Sequence, residues 1–213
     1  TMYSGPTYTS DSAYGIRAID FAADDYGIID DTFQSVFRSS FSLSAWVKLD
    51  DGDGSYNGIF STLATSTAGV SLRVHYGNPT FFITDGTNYK NCHNSGYSNP
   101  GVFSASVTDW IHIVGVYDAD GDNMYIYING SSAVTTRADT GVAFSTSSYT
   151  NSKKLYVNQF DARTDHTSKK IDDVSVWSKA LTSTEVSNLY NSGNGTDLTG
   201  SSDLEGWWKM GDN

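Results

Sequence analysis

Two pairs of adjacent aspartates have the residue type and spacing that suit a cation site. Asp24 and Asp25 lie in a predicted turn near the start of the chain, and Asp172 and Asp173 lie in a predicted strand near its end. Short carboxylates and turn carbonyls supply the oxygen ligands that calcium prefers. Because neighbouring side chains of a regular strand point to opposite faces, we expect one of Asp172 and Asp173 to contact a given ion. The alternative is that both pairs form hydrogen bonds at turns and strand edges.

A second set of polar and aromatic residues lies between positions 85 and 101, where the sequence has no regular hydrophobic period. This segment contains Tyr89, His93, Asn94 and Tyr97. Aromatic rings stack on the apolar face of a sugar, while polar side chains form hydrogen bonds with its hydroxyls. We therefore predict a ligand-binding loop. The alternative is that this is the ordinary composition of a long surface loop.

The residues that a hydrolase would need are absent or scattered in the sequence. Glu185 and Glu205 are the two glutamates among 24 acidic residues, and no predicted strand carries two aspartates on one face. The single cysteine, Cys92, neighbours a histidine in sequence alone, which does not establish a nucleophile and base. The four histidines lack metal-ligand spacing: His75, His93, His112 and His166. The sequence therefore predicts that the chain is not an enzyme.

Composition and charge restrict the partners. The net charge of −11 and the isoelectric point near 4.5 argue against nucleic acid and anionic membranes. No apolar run approaches transmembrane length, so we expect no membrane insertion. A single cysteine excludes an intrachain disulfide, and a length of 213 residues fits one β-sandwich domain.

Period-2 patterns place these residues in an all-β framework. Apolar and polar residues alternate from Phe41 to Leu49, and residues 110–130 have the pattern of a central hairpin. One helix is predicted from Ser183 to about Tyr190, where Thr182 and Glu185 have the spacing of a capping box. Many short strands and one late helix predict a two-sheet antiparallel β-sandwich, or jelly roll, with one short C-terminal helix.

Four segments carry the most distinctive motifs: Ile19–Ile28 (IDFAADDYGI), Phe41–Lys48 (FSLSAWVK), Trp110–Gly130 and Lys170–Val186. Together, and in this order, they resemble the laminin G-like domains of the concanavalin A-like lectin/glucanase superfamily. The resemblance covers roughly residues 16–192 and implies a jelly-roll sandwich. It also implies that the Asp24–Asp25 and Asp172–Asp173 regions meet, which would create a structural calcium site.

The resemblance also suggests how the chain is divided. Residues 1–15 are expected to form an extended arm, residues 16–200 the sandwich, and residues 201–213 an extra strand that contains Trp207 and Trp208. This tail resembles the strand that normally opens such domains. It could complete the same sandwich, begin a further module or add to a neighbouring subunit. The tail and the low-glutamate composition also resemble laminin G-like modules of marine bacteriophage virion proteins.

Two functions follow from these observations. The first is a recognition or adhesion module that binds a glycan or another surface polymer through its rim loops. The second is a structural or decoration protein of a phage capsid or tail, which acts by oligomerising through the Trp207–Trp208 tail. Either function implies a location outside the cell or on a virion surface.

Overall fold

A computed structural model of the chain describes residues 1–49, 57–63, 68–93, 102–103, 109–135, 137–138, 149–159 and 168–212. The described strands form two antiparallel sheets. The fold class predicted from the sequence, an all-β sandwich, is confirmed. None of the helices in the described ranges is long and apolar enough to cross a membrane.

Strands are numbered in chain order. The first sheet contains β1 (Met2–Tyr3), β4 (Tyr26–Ile29), β6 (Asn57–Ser61), β7 (Ala68–His75), β8 (Asn78–Asp85), β9 (Tyr89–His93), β13 (Arg137–Ala138) and β14 (Leu155–Val157). The second sheet contains β2 (Thr7–Thr9), β3 (Ala18–Phe21), β5 (Phe41–Leu49), β10 (Ile111–Asp118), β11 (Asn123–Ile128), β12 (Ser131–Thr135), β15 (Lys169–Trp177) and β16 (Leu204–Trp208). The strand order is β1-β4-β14-β6-β7-β8-β9-β13 in the first sheet and β12-β11-β10-β5-β15-β3-β2 in the second, where β16 also pairs with β15.

Strand alternation fills the space between the sheets with apolar side chains. Every second residue of β5 belongs to this core, as the period-2 pattern predicts: Phe41, Leu43, Ala45, Val47 and Leu49. From the first sheet, alternate residues of β7 and β8 join the same cluster: Val70, Leu72, Val74, Phe81 and Ile83. Burial of such side chains contributes about 1.5–3 kcal/mol each, so this layer is the main source of stability.

The strand β15 lies at the centre of the second sheet and contains a β-bulge. It pairs with β5 on one side and with both β3 and β16 on the other. Its register against β5 shifts just after Asp172, and Asp173 has a left-handed φ of 49°. Because the bulge adds one residue, Ile171, Val174 and Val176 all belong to the core cluster.

Helix α1 (Ser183–Tyr190) packs on the outer face of the second sheet. The side chain of Thr182 accepts a hydrogen bond from the backbone of Glu185, and the carboxylate of Glu185 accepts one from the backbone of Thr182, so the predicted capping box is confirmed. Val186 and Leu189 are buried in a second apolar cluster that includes Trp177. The residue that ends the helix in the left-handed conformation is Asn191, with φ 47°.

Lys169, at the start of β15, is fully buried. Its Nζ donates hydrogen bonds to Asn158 Oδ1 at 2.6 Å and to the carbonyl of Gly58 at 3.2 Å. The amide of Asn158 in turn donates to the carbonyl of Asp25 at 2.7 Å. Burial lowers the pKa of Lys169 to about 7. These bonds tie β15 to the first sheet and to the Asp24–Asp25 turn.

Both ends of the described chain take part in the sheets. Residues 1–15, expected to be an extended arm, contribute β1 to the first sheet and β2 to the second. Near the other end, β16 pairs with the second half of β15. The tail strand thus pairs within the same sandwich.

We predict that Gly115→Ala lowers the free energy of unfolding by about 1–3 kcal/mol, because an added methyl group overpacks the core. A Cβ at this position would lie 2.6 Å from Cγ of Phe81 on the opposite sheet. Urea denaturation of Gly115→Ala, of Phe81→Leu and of the double variant measures the effect. We expect the double variant to lose less stability than the sum of the single variants. Additive losses of stability would show that the added methyl group does not clash with the Phe81 ring.

Candidate functional site

The outer face of β7, β8 and β9 carries a row of polar side chains. Inward positions of these strands, such as Leu72, Phe81 and Cys92, belong to the core cluster, so their neighbours in sequence face outward. The outward set is Ser71, Arg73, His75, Asn78, Thr80, Phe82, Thr84, Tyr89, Asn91 and His93. We call this set the polar face. It contains hydroxyl, amide, imidazole, guanidinium and aromatic groups, and it contains no Asp or Glu.

Two aromatic rings and a cation are stacked at the accessible end of the polar face. The rings of Phe82 and Tyr89 lie with centroids 5.5 Å apart and planes 26° apart. The guanidinium carbon of Arg73 lies 4.9 Å from the centroid of Phe82. Tyr89 is 36% exposed, so a ligand can reach its ring directly. Stacked rings beside a cation suit a ligand that combines an apolar face with polar or acidic groups.

The electrostatics of the polar face are set by Arg73. Burial, together with the nearby charges of Arg73 and His93, lowers the pKa of His75 to about 4. His75 is therefore neutral at pH 7 and can serve there as a hydrogen-bonding group. Arg73 keeps its charge at any physiological pH. Among the described side chains of this face, the fixed charge is thus positive, in a chain with a net charge of −11.

The predicted ligand residues divide into two groups. Tyr89 and His93 lie on the same face of β9, but His93 is 3% exposed and lies among the buried residues of the face. Asn94 and Tyr97 lie outside the described residues. No alternating apolar pattern marks β9, because its inward positions are Lys90 and Cys92 rather than a run of apolar residues.

Lys90 is accommodated by a specific partner. Its Nζ forms an ion pair with the carboxylate of Asp122 and donates a hydrogen bond to the Asp122 carbonyl at 3.0 Å. Arg73 and His75 were also missed as site residues. The alternation from Val70 to His75, which is apolar at even positions and polar at odd ones, is the signal that could have found them.

The two aspartate pairs occupy separate places. Asp24 is exposed, and Asp25 Oδ2 closes its own turn by accepting a hydrogen bond from Ala22 N at 3.0 Å. Phe21, just before this turn, pairs with Lys169, three residues before Asp172. At about 3.3 Å per residue, the pairs are therefore separated by roughly 10 Å or more along the strand direction.

Asp172 and Asp173 hold other parts of the chain by hydrogen bonds. Asp172 Oδ2 accepts bonds from Ala13 N and Tyr14 N, both at 3.0 Å, and Asp173 Oδ1 accepts one from the Trp207 indole. Ile171 and Val174 both face the core, so the bulge places the two aspartates between them on the outer side, where the rings of Tyr14 and Trp207 lie 6.2 Å apart. The expectation that they point to opposite faces is wrong, because it assumed a regular strand.

Burial raises the pKa of Asp172 to about 7 and that of Asp173 to about 6. Both oxygens of Asp172 and Oδ1 of Asp173 accept hydrogen bonds from N–H groups of the domain. In the parts of the chain that the structure describes, no three His, Cys, Asp or Glu side chains could jointly hold a metal ion. A calcium ion shared by the two aspartate pairs does not fit this arrangement.

A family model described as the concanavalin A-like lectin/glucanases superfamily, of laminin G type, matches residues 21–187. The chain belongs to this superfamily. The match covers most of the chain and confirms the family inferred from the four motifs. A comparison with curated proteins finds no matching sequence.

Solved structures with a similar fold include binding domains of toxins. The binding domain of botulinum neurotoxin serotype D/C has a TM-score of 0.66 at 15% identity, over 91% of this chain and 47% of that one. The binding domain of Paraclostridial Mosquitocidal Protein 1 has a TM-score of 0.62 at 17% identity, over 90% and 47%. The botulinum neurotoxin DC binding domain in complex with SialylT gives 0.62 at 16%, over 91% and 46%.

The chain thus spans a little under half the length of these binding domains, and at such identities the likeness establishes the fold. The absence of catalytic function stays a prediction from the sequence, because a likeness at 15–17% identity carries no information on activity.

The tail that resembles a domain-opening strand packs on its own sandwich. Trp208 lies edge-on to Phe33, with centroids 5.9 Å apart and planes at 89°. Trp207 bonds Asp173, and Lys209 Nζ lies 4.4 Å from its ring centroid. Both indoles are half-buried. Much of the aromatic surface expected to contact a neighbouring subunit is therefore used within the domain.

We predict that Asp172 and Asp173 make the protein less stable as the pH rises from about 5 to 7.5. Their folded pKa values lie above the unfolded value of about 3.9, so the folded state binds the proton more tightly, and the stabilisation is lost as the pH rises through 6 and 7. Asp173→Asn removes one titration but keeps the acceptor for Trp207. The unfolding free energy of Asp173→Asn relative to wild type should increase over this range, by an amount on the order of 1–3 kcal/mol.

The histidines also change the stability with pH, since burial lowers the pKa of His75 to about 4 and that of His112 to about 3. Their contribution is shared by Asp173→Asn and wild type, so it cancels in the difference between the two proteins. Lowered histidine pKa values make stability rise with pH, which opposes the effect of the aspartates. A constant difference between Asp173→Asn and wild type from pH 5 to 7.5 would contradict the prediction.

We also predict that calcium leaves the melting temperature unchanged, because the carboxylates of Asp172 and Asp173 already accept hydrogen bonds. Thermal melts in excess chelator and in millimolar calcium test this, with magnesium as the control for ionic strength. An increase in melting temperature that is specific to calcium and is removed by Asp25→Asn or Asp172→Asn would contradict this prediction and support a shared calcium site.

Proposed function

We propose that the chain is a non-catalytic recognition domain that binds a glycan on the polar face of β7, β8 and β9. The observation that carries the proposal is the stacked Phe82–Tyr89 pair with Arg73 over the Phe82 ring. Such a platform offers an apolar surface for a sugar ring, and Asn91 lies directly opposite Phe82 on the neighbouring strand. Asn91 is 5% exposed, so the exposed ring of Tyr89, and not this amide, is the group that a stacked sugar would contact.

The charge of the polar face favours an acidic glycan. Arg73 provides a permanent positive charge beside the Phe82 ring, and this charge attracts carboxylate and sulfate groups. None of the outward-facing residues described on β7, β8 and β9 is Asp or Glu, although the chain has 24 acidic residues. Arg73 is 6% exposed, so it would attract a carboxylate or sulfate of a ligand at the Phe82–Tyr89 platform through its charge, without repulsion from these residues. The complex of a botulinum neurotoxin binding domain with SialylT is a precedent in a larger protein that contains this fold.

Display outside a cell or on a virion remains a prediction from sequence, as does assembly into a larger structure. A recognition domain on such a surface would place the polar face where it meets glycans. Size determination of the purified chain separates the two functions considered, because a decoration protein must form oligomers and a recognition domain need not.

We predict that a glycan array detects binding by the wild-type chain and that Tyr89→Ala weakens it about tenfold, since the stacking surface is lost. Arg73→Gln should reduce binding to acidic glycans more than to their neutral counterparts. The matched control is Tyr125→Ala, which removes a half-buried tyrosine from the second sheet. Melting temperatures verify that each variant is folded. A blank array, or equal loss of binding in Tyr89→Ala and Tyr125→Ala, would refute the proposal.

A further inference from the structure

A groove at the edge of the sandwich brings aromatic and charged residues from both ends of the described chain together. It encloses a cavity of about 410 Å³, lined by Tyr8, Trp207, Trp208, Lys209 and Asp212. A neighbouring cavity of about 260 Å³ shares Trp208 with it. We call the larger cavity the terminal groove. None of its lining residues belongs to the polar face, so the two surfaces are separate.

The walls of the terminal groove are fixed by hydrogen bonds and packing within the domain. The Trp207 indole donates to the buried carboxylate of Asp173, and Trp208 packs edge-on against Phe33. Asp212 Oδ2 accepts a hydrogen bond from Ile16 N at 2.6 Å, which joins the two chain ends. Groups held in this way lose little freedom when a ligand binds, and such preorganisation favours affinity.

The chemistry of the groove is mixed rather than apolar. The Lys209 ammonium lies 4.4 Å from the centroid of the Trp207 ring, where it can donate hydrogen bonds beside an aromatic surface. The second oxygen of Asp212, Oδ1, is covered and accepts no hydrogen bond from the described residues. Asp212 Oδ2 accepts from Ile16 N in an exposed setting and has a second lone pair, which can accept a hydrogen bond from a ligand hydroxyl. Tyr8, which is 62% exposed, stands at the entrance.

We infer that the terminal groove is a second glycan site, which takes a single hydroxylated sugar ring. The rings of Tyr8 and Trp208 would contact the apolar face of the sugar, Asp212 would accept from a hydroxyl and Lys209 would donate to a ring or hydroxyl oxygen. A purely apolar side chain of a protein partner would bury the Lys209 ammonium without supplying an acceptor for it, which is unfavourable. The volume of about 410 Å³ is within the range of ordinary ligand pockets.

The test uses the glycan array with two groove variants, Tyr8→Ala and Asp212→Asn. Asp212→Asn keeps an oxygen that can accept from Ile16 N, so it alters the charge at the cavity while preserving this link between the chain ends. Tyr3→Ala is the matched control, because Tyr3 is also exposed but stacks on Tyr26 at 4.7 Å, and it is not among the residues that line the groove. Tyr89→Ala reports on the polar face in the same experiment.

We expect a subset of glycans to bind about tenfold more weakly to both groove variants, which corresponds to the loss of one good hydrogen bond or stacking contact. Tyr3→Ala and Tyr89→Ala should bind this subset as the wild type does. If all binding is lost in Tyr89→Ala and none in the groove variants, the second site is excluded and the polar face is supported. If all binding depends on the groove variants, the polar face is excluded instead. A blank array excludes both.

Discussion

The fold depends on the burial of ionisable groups along one strand, β15. Lys169 reaches across to Asn158 and the first sheet, Asp172 holds the backbone at Ala13 and Tyr14, and Asp173 holds the indole of Trp207. Buried charges are costly unless their hydrogen bonds are met. Each of these groups therefore requires a distant part of the chain to be in place, so the two sheets and both chain ends are coupled through a single strand.

The bulge in β15 determines what each side of the strand does. Without the extra residue, Val174 could not face the core on the same side as Ile171, and one aspartate would point into the apolar layer. With it, the core stays continuous and both carboxylates lie where the N-terminal arm and β16 can reach them. The β-bulge thus keeps charged side chains out of the core and positions the walls of the terminal groove.

Sequence patterns predicted the elements whose signal is local. The alternation in β5, the hairpin of β10 and β11, and the capping box of Thr182 and Glu185 all depend on residues close together in the chain. The features that were missed depend on distant partners. Lys90 can face inward because Asp122 meets it, and Asp173 adopts its left-handed φ because Trp207 and the sheet register hold it there. Tyr89 and His93 of the polar face lie in the segment that the sequence predicts to bind a ligand, whereas Arg73 and His75 come from β7, which is distant in sequence and becomes a neighbour of that segment only in the folded sheet.

Cys92 lies on the inward side of β9, directly beneath the polar face, and is fully buried. Burial raises the pKa of its thiol to about 12, so the reactive thiolate is almost absent in the folded chain. A thiol reagent can modify this position only while β9 is detached from its neighbours. Since the chain has one cysteine, the rate at which a thiol reagent labels Cys92 measures how often this part of the first sheet opens. Any ligand that binds the polar face and keeps β9 paired with its neighbours would lower the labelling rate of Cys92.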